Sequence, residues 1–228
     1  MFKTGRALPQ RADSEQTRTQ IFETALSLFR EKGFDATTIR EIAARTGLSL
    51  GATYYYFPSK EAIVAAYYDH VQDQHRVRAF AAFAQQTTLK ERLRAAYHSK
   101  LDVMLEDQGL LRALFRFGGD PGHPLSWFGP ASRAQREASM EVFKAAIEGE
   151  RLPDDVQAAA PTLLWTLHMG VLLYFLYDSS EGFRKTRRLV DAAVDFVIDA
   201  KRIATLPLMR PVRRRVFNIL RDAGLLTA

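Results

Sequence analysis

Thr37-Thr-Ile-Arg-Glu-Ile-Ala-Ala-Arg-Thr-Gly-Leu-Ser-Leu-Gly-Ala-Thr-Tyr-Tyr-Tyr-Phe-Pro-Ser-Lys-Glu-Ala62 is the stretch whose reading decides the fold of this 228-residue chain. Thr38-Ile-Arg-Glu41 reads as a capping box, in which hydroxyl and carboxylate each satisfy a backbone N–H that the first helical turn leaves without a partner. Ile39, Ile42 and Ala43 then face inward on a short helix. It stops at Arg45-Thr46-Gly47, where glycine accepts a left-handed backbone, and Ser49 caps the next helix. Ala43 is small enough for close helix contact, and Ile42, Leu48 and Tyr56 can close a miniature core. Two short helices across a glycine turn make a helix-turn-helix, which presents its second helix as a probe.

Outward from this stretch the signals stay helical. No period-2 strand pattern or Asn-Gly hairpin appears, so the expected class is all-α. Ile21, Ala25, Leu28 and Phe29 recur at helical spacing before Gly33, which stands where a helix C-cap is expected. Pro58-Ser59-Lys60-Glu61 opens a further helix carrying Ile63, Val64, Tyr67 and Val71. Thr88-Leu-Lys-Glu91 is a second capping box, leading into Leu89, Leu93, Tyr97, Leu101 and Met104 on one face. Gly109 interrupts shortly afterwards. Gly118-Gly-Asp-Pro-Gly-His-Pro124 is the clearest loop. Helices are expected over about 131–149, 154–178 and 184–203, with Pro161 kinking the second of these or marking its true start.

The chemistry of the motif points to DNA. A helix from Ser49 to Tyr55 fits the major groove, while hydroxyls, cations and helix N-termini hold the phosphates on either side. Thr38 and Ser49 combine capping with phosphate contact, Gly51 lets the helix approach closely, and Tyr54 and Lys60 are phosphate anchors. Arg40, Leu50, Ala52 and Tyr55 are the candidates for base recognition, since arginine addresses guanine and apolar atoms meet the thymine methyl. Leu50 reads such a methyl or is simply an exposed leucine. Tyr56 and Phe57 are expected to pack the small core.

Over residues 19–65 the chain resembles the TetR family of one-component transcriptional regulators. In that family an N-terminal helix and a helix-turn-helix lead to a tyrosine-rich recognition helix ending in Phe-Pro-Ser-Lys-Glu. Glycine, aromatic cluster, proline and lysine all fall in register. Two departures keep operator preference from being carried over: many relatives have a basic or polar residue where Leu50 stands and an apolar one where Thr53 stands. The resemblance implies a division into an arm at 1–13, a DNA-binding domain at 14–60, an effector-binding and dimerising helical domain at 61–203, and a basic tail at 204–228.

It also implies a homodimer on double-stranded DNA with a palindromic operator. One short helix reads few base pairs, whereas two related by a two-fold reach major-groove faces about 34–36 Å apart. Leu163, Leu164, Leu167, Val171, Leu172 and Phe175 on one helix, with Leu189, Ala193, Phe196 and Val197 on another, offer apolar faces for a four-helix interface, some of them serving the protomer's own core. Tyr97, Met104, Phe115, Phe117, Trp127, Phe128, Trp165, His168 and Met169 form a pool of large residues suited to an apolar or aromatic small-molecule effector. His168 stands out because an unsatisfied imidazole in an uncharged stretch is costly, so either a core partner or a ligand is expected to meet it. The expected switch is repression relieved by ligand, with activation the other direction open to the same fold.

Charge is uneven: residues 1–60 contribute +3, residues 61–200 −3 and residues 201–228 +6 to the net +6. Basic ends suit a polyanion partner, though charge alone reads no sequence. The absence of cysteine removes disulfides and thiolate metal sites and fits a cytoplasmic setting. Val156 to Tyr177 holds no Asp, Glu, Lys or Arg and is long enough to span a bilayer. Gln157, Pro161, Thr162, Thr166 and His168 interrupt it, however, and a helix apolar all round also suits a buried interface, so no membrane partner is expected. No Walker loop, Gly-x-Gly-x-x-Gly, His-Glu-x-x-His or Gly-x-Ser-x-Gly occurs, so neither catalysis nor a cofactor is expected, and His70 and His75 are badly spaced for a metal pair. In the tail, Val212, Val216, Ile219 and Leu220 outline an amphipathic helix with Arg213, Arg214 and Arg215. It packs on the body with its arginines exposed, attracts DNA, or meets an acidic surface. The competing functional class is a helical interaction protein that keeps the fold without reading DNA.

Overall fold

Helix caps and glycines place the boundaries of the elements. The computed structural model describes residues 9–120, 122–127 and 129–222, and among these there is no strand. The helices are α1 Pro9–Lys32, α2 Ile39–Thr46, α3 Leu50–Tyr56, α4 Lys60–Phe83, α5 Leu89–Met104, α6 Gln108–Gly118, α7 Arg133–Ala146, α8 Asp154–Tyr177, α9 Arg184–Ala204 and α10 Arg210–Asp222. The fold class is all-α, as expected. α1 begins at Pro9, within the stretch expected to be an arm; residues 1–8 and Phe128 lie outside the described residues. Pro161 neither starts nor ends α8: it sits buried inside it.

Packing divides the chain into two units, residues up to Tyr68 with Gly109–Ala131, and Asp69–Gln108 with the residues from Ser132 onward. In the first, α1 packs on α2 and α2 on α3. Ile21, Ala25, Phe29, Ile42, Phe57 and Ile63 are fully or almost fully buried. Each removes apolar area worth about 1.5–3 kcal/mol for the larger side chains. Phe57 belongs to this core as expected, whereas Tyr56 is only half-buried, its hydroxyl 3.4 Å from Ser14 Oγ. From Gly109 onward α6 belongs to the same unit. Phe117 packs edge-on against Phe34 with centroids 5.9 Å apart, and Arg116 pairs with Asp35, which holds that carboxyl below its usual range.

The second unit is built by α5, α7, α8 and α9, with the latter half of α4 and α10. α7 packs on α8, α5 on both α7 and α9, and α8 on α9. Arg92 closes the end of α7, its guanidinium donating to the Ala146 carbonyl at 2.7 Å and to Glu150 at 2.9 Å. Asp178 organises the turn into α9, accepting from the Thr186 N–H at 2.8 Å and hydroxyl at 2.7 Å and from the Ser180 N–H at 2.9 Å.

α10 lies against α8, with Arg214 and Arg215 exposed and Leu220 half-buried as expected, but it departs from the expected sidedness at Arg213 and at three apolar residues. Arg213 is the residue turned inward, donating to Asp155 at 3.2 Å and to the Ala204 carbonyl at 2.5 Å. Val212, Val216 and Ile219 are exposed, because an acidic group and a helix-end carbonyl hold the guanidinium where the apolar face was expected.

Gly47 has φ +71 and a Cβ there would meet nothing within 4 Å, so its requirement is purely one of backbone conformation. Gly47→Ala should therefore lower unfolding free energy by about 1 kcal/mol, read from urea melts, with an unchanged helical spectrum. An unchanged midpoint would show that the turn tolerates an L side chain.

Candidate nucleic-acid interface

Caps fix both ends of α2 and the start of α3. Thr38 caps α2 by accepting from the Glu41 N–H at 3.2 Å, while Glu41 accepts the Thr38 N–H at 2.8 Å, completing the capping box. Lys32 hydrogen-bonds Glu41 and, with the threonine bonds, pushes that carboxyl down to about 2. At the far end of α2, Gly47 takes the left-handed conformation, which lets the Leu48 N–H reach the Ala43 carbonyl at 3.0 Å. Ser49 then caps α3 by accepting from the Ala52 N–H at 3.1 Å.

On this frame α3 turns Leu50, Gly51, Tyr54 and Tyr55 outward. Tyr55 is 82% exposed and Tyr54 48%, far from what core tyrosines show. Arg40 on α2 is also exposed, and neither it nor Tyr54 has a hydrogen bond or ion pair among the described residues. Ala52 is half-buried. A Cβ on Gly51 would meet nothing within 4 Å, so the fold itself does not require glycine there. Thr53, the second departure from the family pattern, is fully buried; its hydroxyl donates to the Ser49 carbonyl at 3.1 Å, which is how a polar side chain is accommodated on the inner face.

Lys60 was expected to anchor phosphate. Its ammonium donates to the Phe34 carbonyl at 2.7 Å and lies 4.5 Å from the Phe34 ring centroid, so in the free protein it closes the α1–α2 loop. Sequence reading also missed Arg18, whose guanidinium lies 4.8 Å from the Phe57 ring centroid, and the Arg45–Glu31 pair at 2.8 Å. Both join residues far apart in sequence.

The residues expected at a dimer interface divide. Leu164, Val171 and Phe175 are buried in the protomer's own core and are thereby removed from any outward face; Leu167, Ala193 and Val197 are half-buried. The outward face of α8 is instead Leu163, Thr166, Gly170, Leu173, Tyr174 and Tyr177, at helical spacing. α9 exposes Leu189, Phe196 and Ile203 at intervals of seven, with Phe196 72% exposed.

The effector pool also divides. Phe115 and Trp127 belong to the first unit, where their rings meet edge-on at 5.1 Å. Tyr97, Met104, Trp165 and His168 belong to the second and are all buried. There His168 is 1% exposed, stacked on His75 at 6.0 Å with Tyr97 and Phe143 at 5.8 and 5.6 Å, and neither ring nitrogen has a partner. It is therefore no satisfied core histidine. Beside it, Lys100 is buried, donating to Gln72 Oε1 at 3.1 Å, and His75 Nε2 lies 2.8 Å from the Ala96 carbonyl. Besides His168 in its uncharged stretch, the sequence carried a second signal of this: Lys100 falls on the same helical face as Leu93, Tyr97 and Met104.

The fold and the outward-facing second helix of the motif define a helix-turn-helix DNA-binding protein. "Bacterial regulatory proteins, tetR family" matches residues 21–67, and "Tetracyclin repressor-like, C-terminal domain" matches residues 92–213. The chain belongs to the TetR family of transcriptional regulators. It is 38% identical over 87 residues to the uncharacterized HTH-type transcriptional regulator YuxN of Bacillus subtilis, a stretch covering 38% of this chain and 28% of that protein. The TetR transcriptional regulator of Nitrosomonas europaea superposes with a TM-score of 0.65 at 20% identity, over 78% of this chain and 96% of that one. FadR of Thermus thermophilus, a TetR-family transcriptional repressor solved in complex with lauroyl-CoA, superposes with a TM-score of 0.59 at 23% identity, over 78% and 92%.

Burial pushes Lys100 down to about 7 from its ordinary 10.5. It likewise pushes His75 down to about 3 from 6.5 and His168 well below its usual value. The groups facing the ammonium are Gln72 and His75 of α4 and His168 of α8; no carboxylate lowers the cost of its charge. Between about pH 7 and 10.5 the unfolded chain holds more protons than the folded one, so stability increases with pH. The denaturation midpoint should rise from pH 7 to about pH 9.5, and this rise should vanish in Lys100→Met. Parallel profiles for the two proteins would contradict the lowering of Lys100 by burial.

Proposed function

We propose that the protein is a repressor that binds a palindromic operator as a homodimer and is released by a small, largely apolar effector. The observation that carries this reading is α3 itself: a helix capped by Ser49 with Leu50, Gly51, Tyr54 and Tyr55 turned to solvent, together with an exposed, unpaired Arg40 on α2. Arg40 reaches a base edge or phosphate, Tyr54 holds a phosphate, and Leu50, Ala52 and Tyr55 read the groove floor. Thr38 and Ser49, both exposed caps, add phosphate contacts at two helix N-termini. Lys60 keeps its loop-closing role and uses its remaining N–H bonds for phosphate.

The outward face of α8 and the Leu189–Phe196–Ile203 stripe of α9 meet their two-fold copies in a four-helix interface. The effector binds the second unit, and the lauroyl-CoA held by the Thermus FadR supports a ligand that joins an apolar tail to a polar, anionic part. Coupling runs through α4 and α6, in which the chain passes from one unit to the other. A ligand that prefers one arrangement of the paired bodies takes the recognition helices out of register with successive major grooves.

Selection of bound duplexes from a random pool should enrich a palindrome, and sedimentation should find two chains on it. Arg40→Ala should lose about 1–3 kcal/mol of specific affinity. Gly51→Ala should stabilise the free protein by about 0.5–1 kcal/mol while weakening operator binding, because the methyl stands between α3 and the groove. No enriched sequence, or a monomer on DNA, would overturn the reading.

A further inference from the structure

We propose that the second unit binds an organic monocarboxylate with an apolar body, its carboxylate seated on Lys100 between His75 and His168. This rests on the reading of that unit as the effector-binding one and specifies what it recognises.

The cluster is chemically incomplete. Lys100 is 7% exposed, has no carboxylate partner, and directs one of its three N–H bonds at Gln72 Oε1. Gln72 Nε2, His75 Nδ1 and both nitrogens of His168 are buried without partners. Buried polar atoms are nearly always hydrogen-bonded, and orphaning several of them within one stacked cluster costs folding energy that nothing nearby returns. A carboxylate would accept from Lys100, from the Gln72 amide N–H and from the one N–H that neutral His168 carries, giving those orphans charge-assisted bonds; His75, whose Nε2–H is donated to the Ala96 carbonyl, packs beside it without donating.

Access is provided at Gln72, which lines both the cluster and a groove of about 620 Å³ between α4 and α7. The groove's own cations are already paired, Arg76 with Asp73 at 3.6 Å and Lys144 with Glu141. The uncompensated positive charge is therefore the one behind Gln72. Phe80, 41% exposed, and Ala138 and Ala145 give an apolar seat for the rest of the ligand. A carboxylate displaces the Gln72 amide from the ammonium, and the body lies along the groove.

The number of charges selects the head group. One ammonium flanked by two histidines that burial keeps neutral matches a single negative charge. A phosphate monoester, carrying about −1.5 to −2, would bring uncompensated charge into the interior.

The test compares three heads on one tail, decanoate, decanamide and decyl phosphate, by calorimetric titration of the full-length protein. Decanoate should bind at least about tenfold more tightly than either of the others. Lys100→Met should abolish that preference while leaving decanamide unaffected; since it removes a buried charge, it should melt no lower than the parent. His168→Phe, which keeps the ring stack without its nitrogens, should weaken decanoate selectively and serves if the lysine variant does not fold. Equal affinity for decanamide, undiminished decanoate binding in the variants, tighter binding of decyl phosphate, or no decanoate binding at about 1 mM would each overturn the proposal. A neutral compound that releases operator equally from parent and Lys100→Met would do so too, while leaving the ligand-released repressor intact.

Discussion

The hydrogen bond from the Leu48 N–H to the Ala43 carbonyl closes only because Gly47 adopts φ +71, and the outward face of α3 that we assign to DNA depends on it. That bond ends α2 and aims the chain so that Ser49 can cap α3 one residue later. The two helices are too short to persist alone, since a helix of eight or seven residues is far below the length at which nucleation is recovered. Their direction comes from the caps and from burial of Ile42, Thr53 and Phe57. Lys60 adds a tertiary restraint by closing the loop after α1 onto the start of α4, so the scaffold is held by its own carbonyls before any phosphate arrives.

What the chain's residues reveal in advance follows the range of each interaction. Capping boxes at Thr38–Glu41 and Thr88–Glu91 were legible because every partner lies within three residues. The start of α9 at Arg184 was likewise found. The start of α1 was missed because Pro9 opens a polar first turn without an apolar stripe to announce it. The orientation of α8 was hidden for the opposite reason. It is apolar on all sides, so no polar stripe tells Leu164, Val171 and Phe175, which are buried, from Leu163, Leu173 and Tyr174, which are not. α10 departs from its expected pattern at Arg213, which Asp155, a residue on another helix, draws inward.

The same limit governs the two sites. On α3 the exposed residues Leu50, Gly51, Tyr54 and Tyr55 all lie within six residues of one another in sequence. The cluster of Lys100, His75 and His168 draws on three helices, and its defining property is a lack of partners, which no spacing encodes. Two members left a local sign: Lys100, as a charge on an otherwise apolar helical face, and His168, as an imidazole in an uncharged stretch. The rings of Phe115 and Trp127 show the converse error: aromatic character placed them in one pool with His168, whereas packing assigns them to the other unit.

α8 brings these strands together. One face carries His168 into the interior, and the opposite face carries Leu163, Gly170 and Tyr174 to the surface that we assign to a second chain. A helix of 24 residues moves as a body, because its backbone bonds resist any independent displacement of its two faces. On the proposed reading, ordering the polar atoms around His168 is felt at the outward face, and a slight rotation of α8 would alter the angle between paired chains. The unsatisfied cluster and the apolar exterior are in this sense one device. A core fully relieved of its polar atoms would be more stable but would have no interior state for a ligand to change.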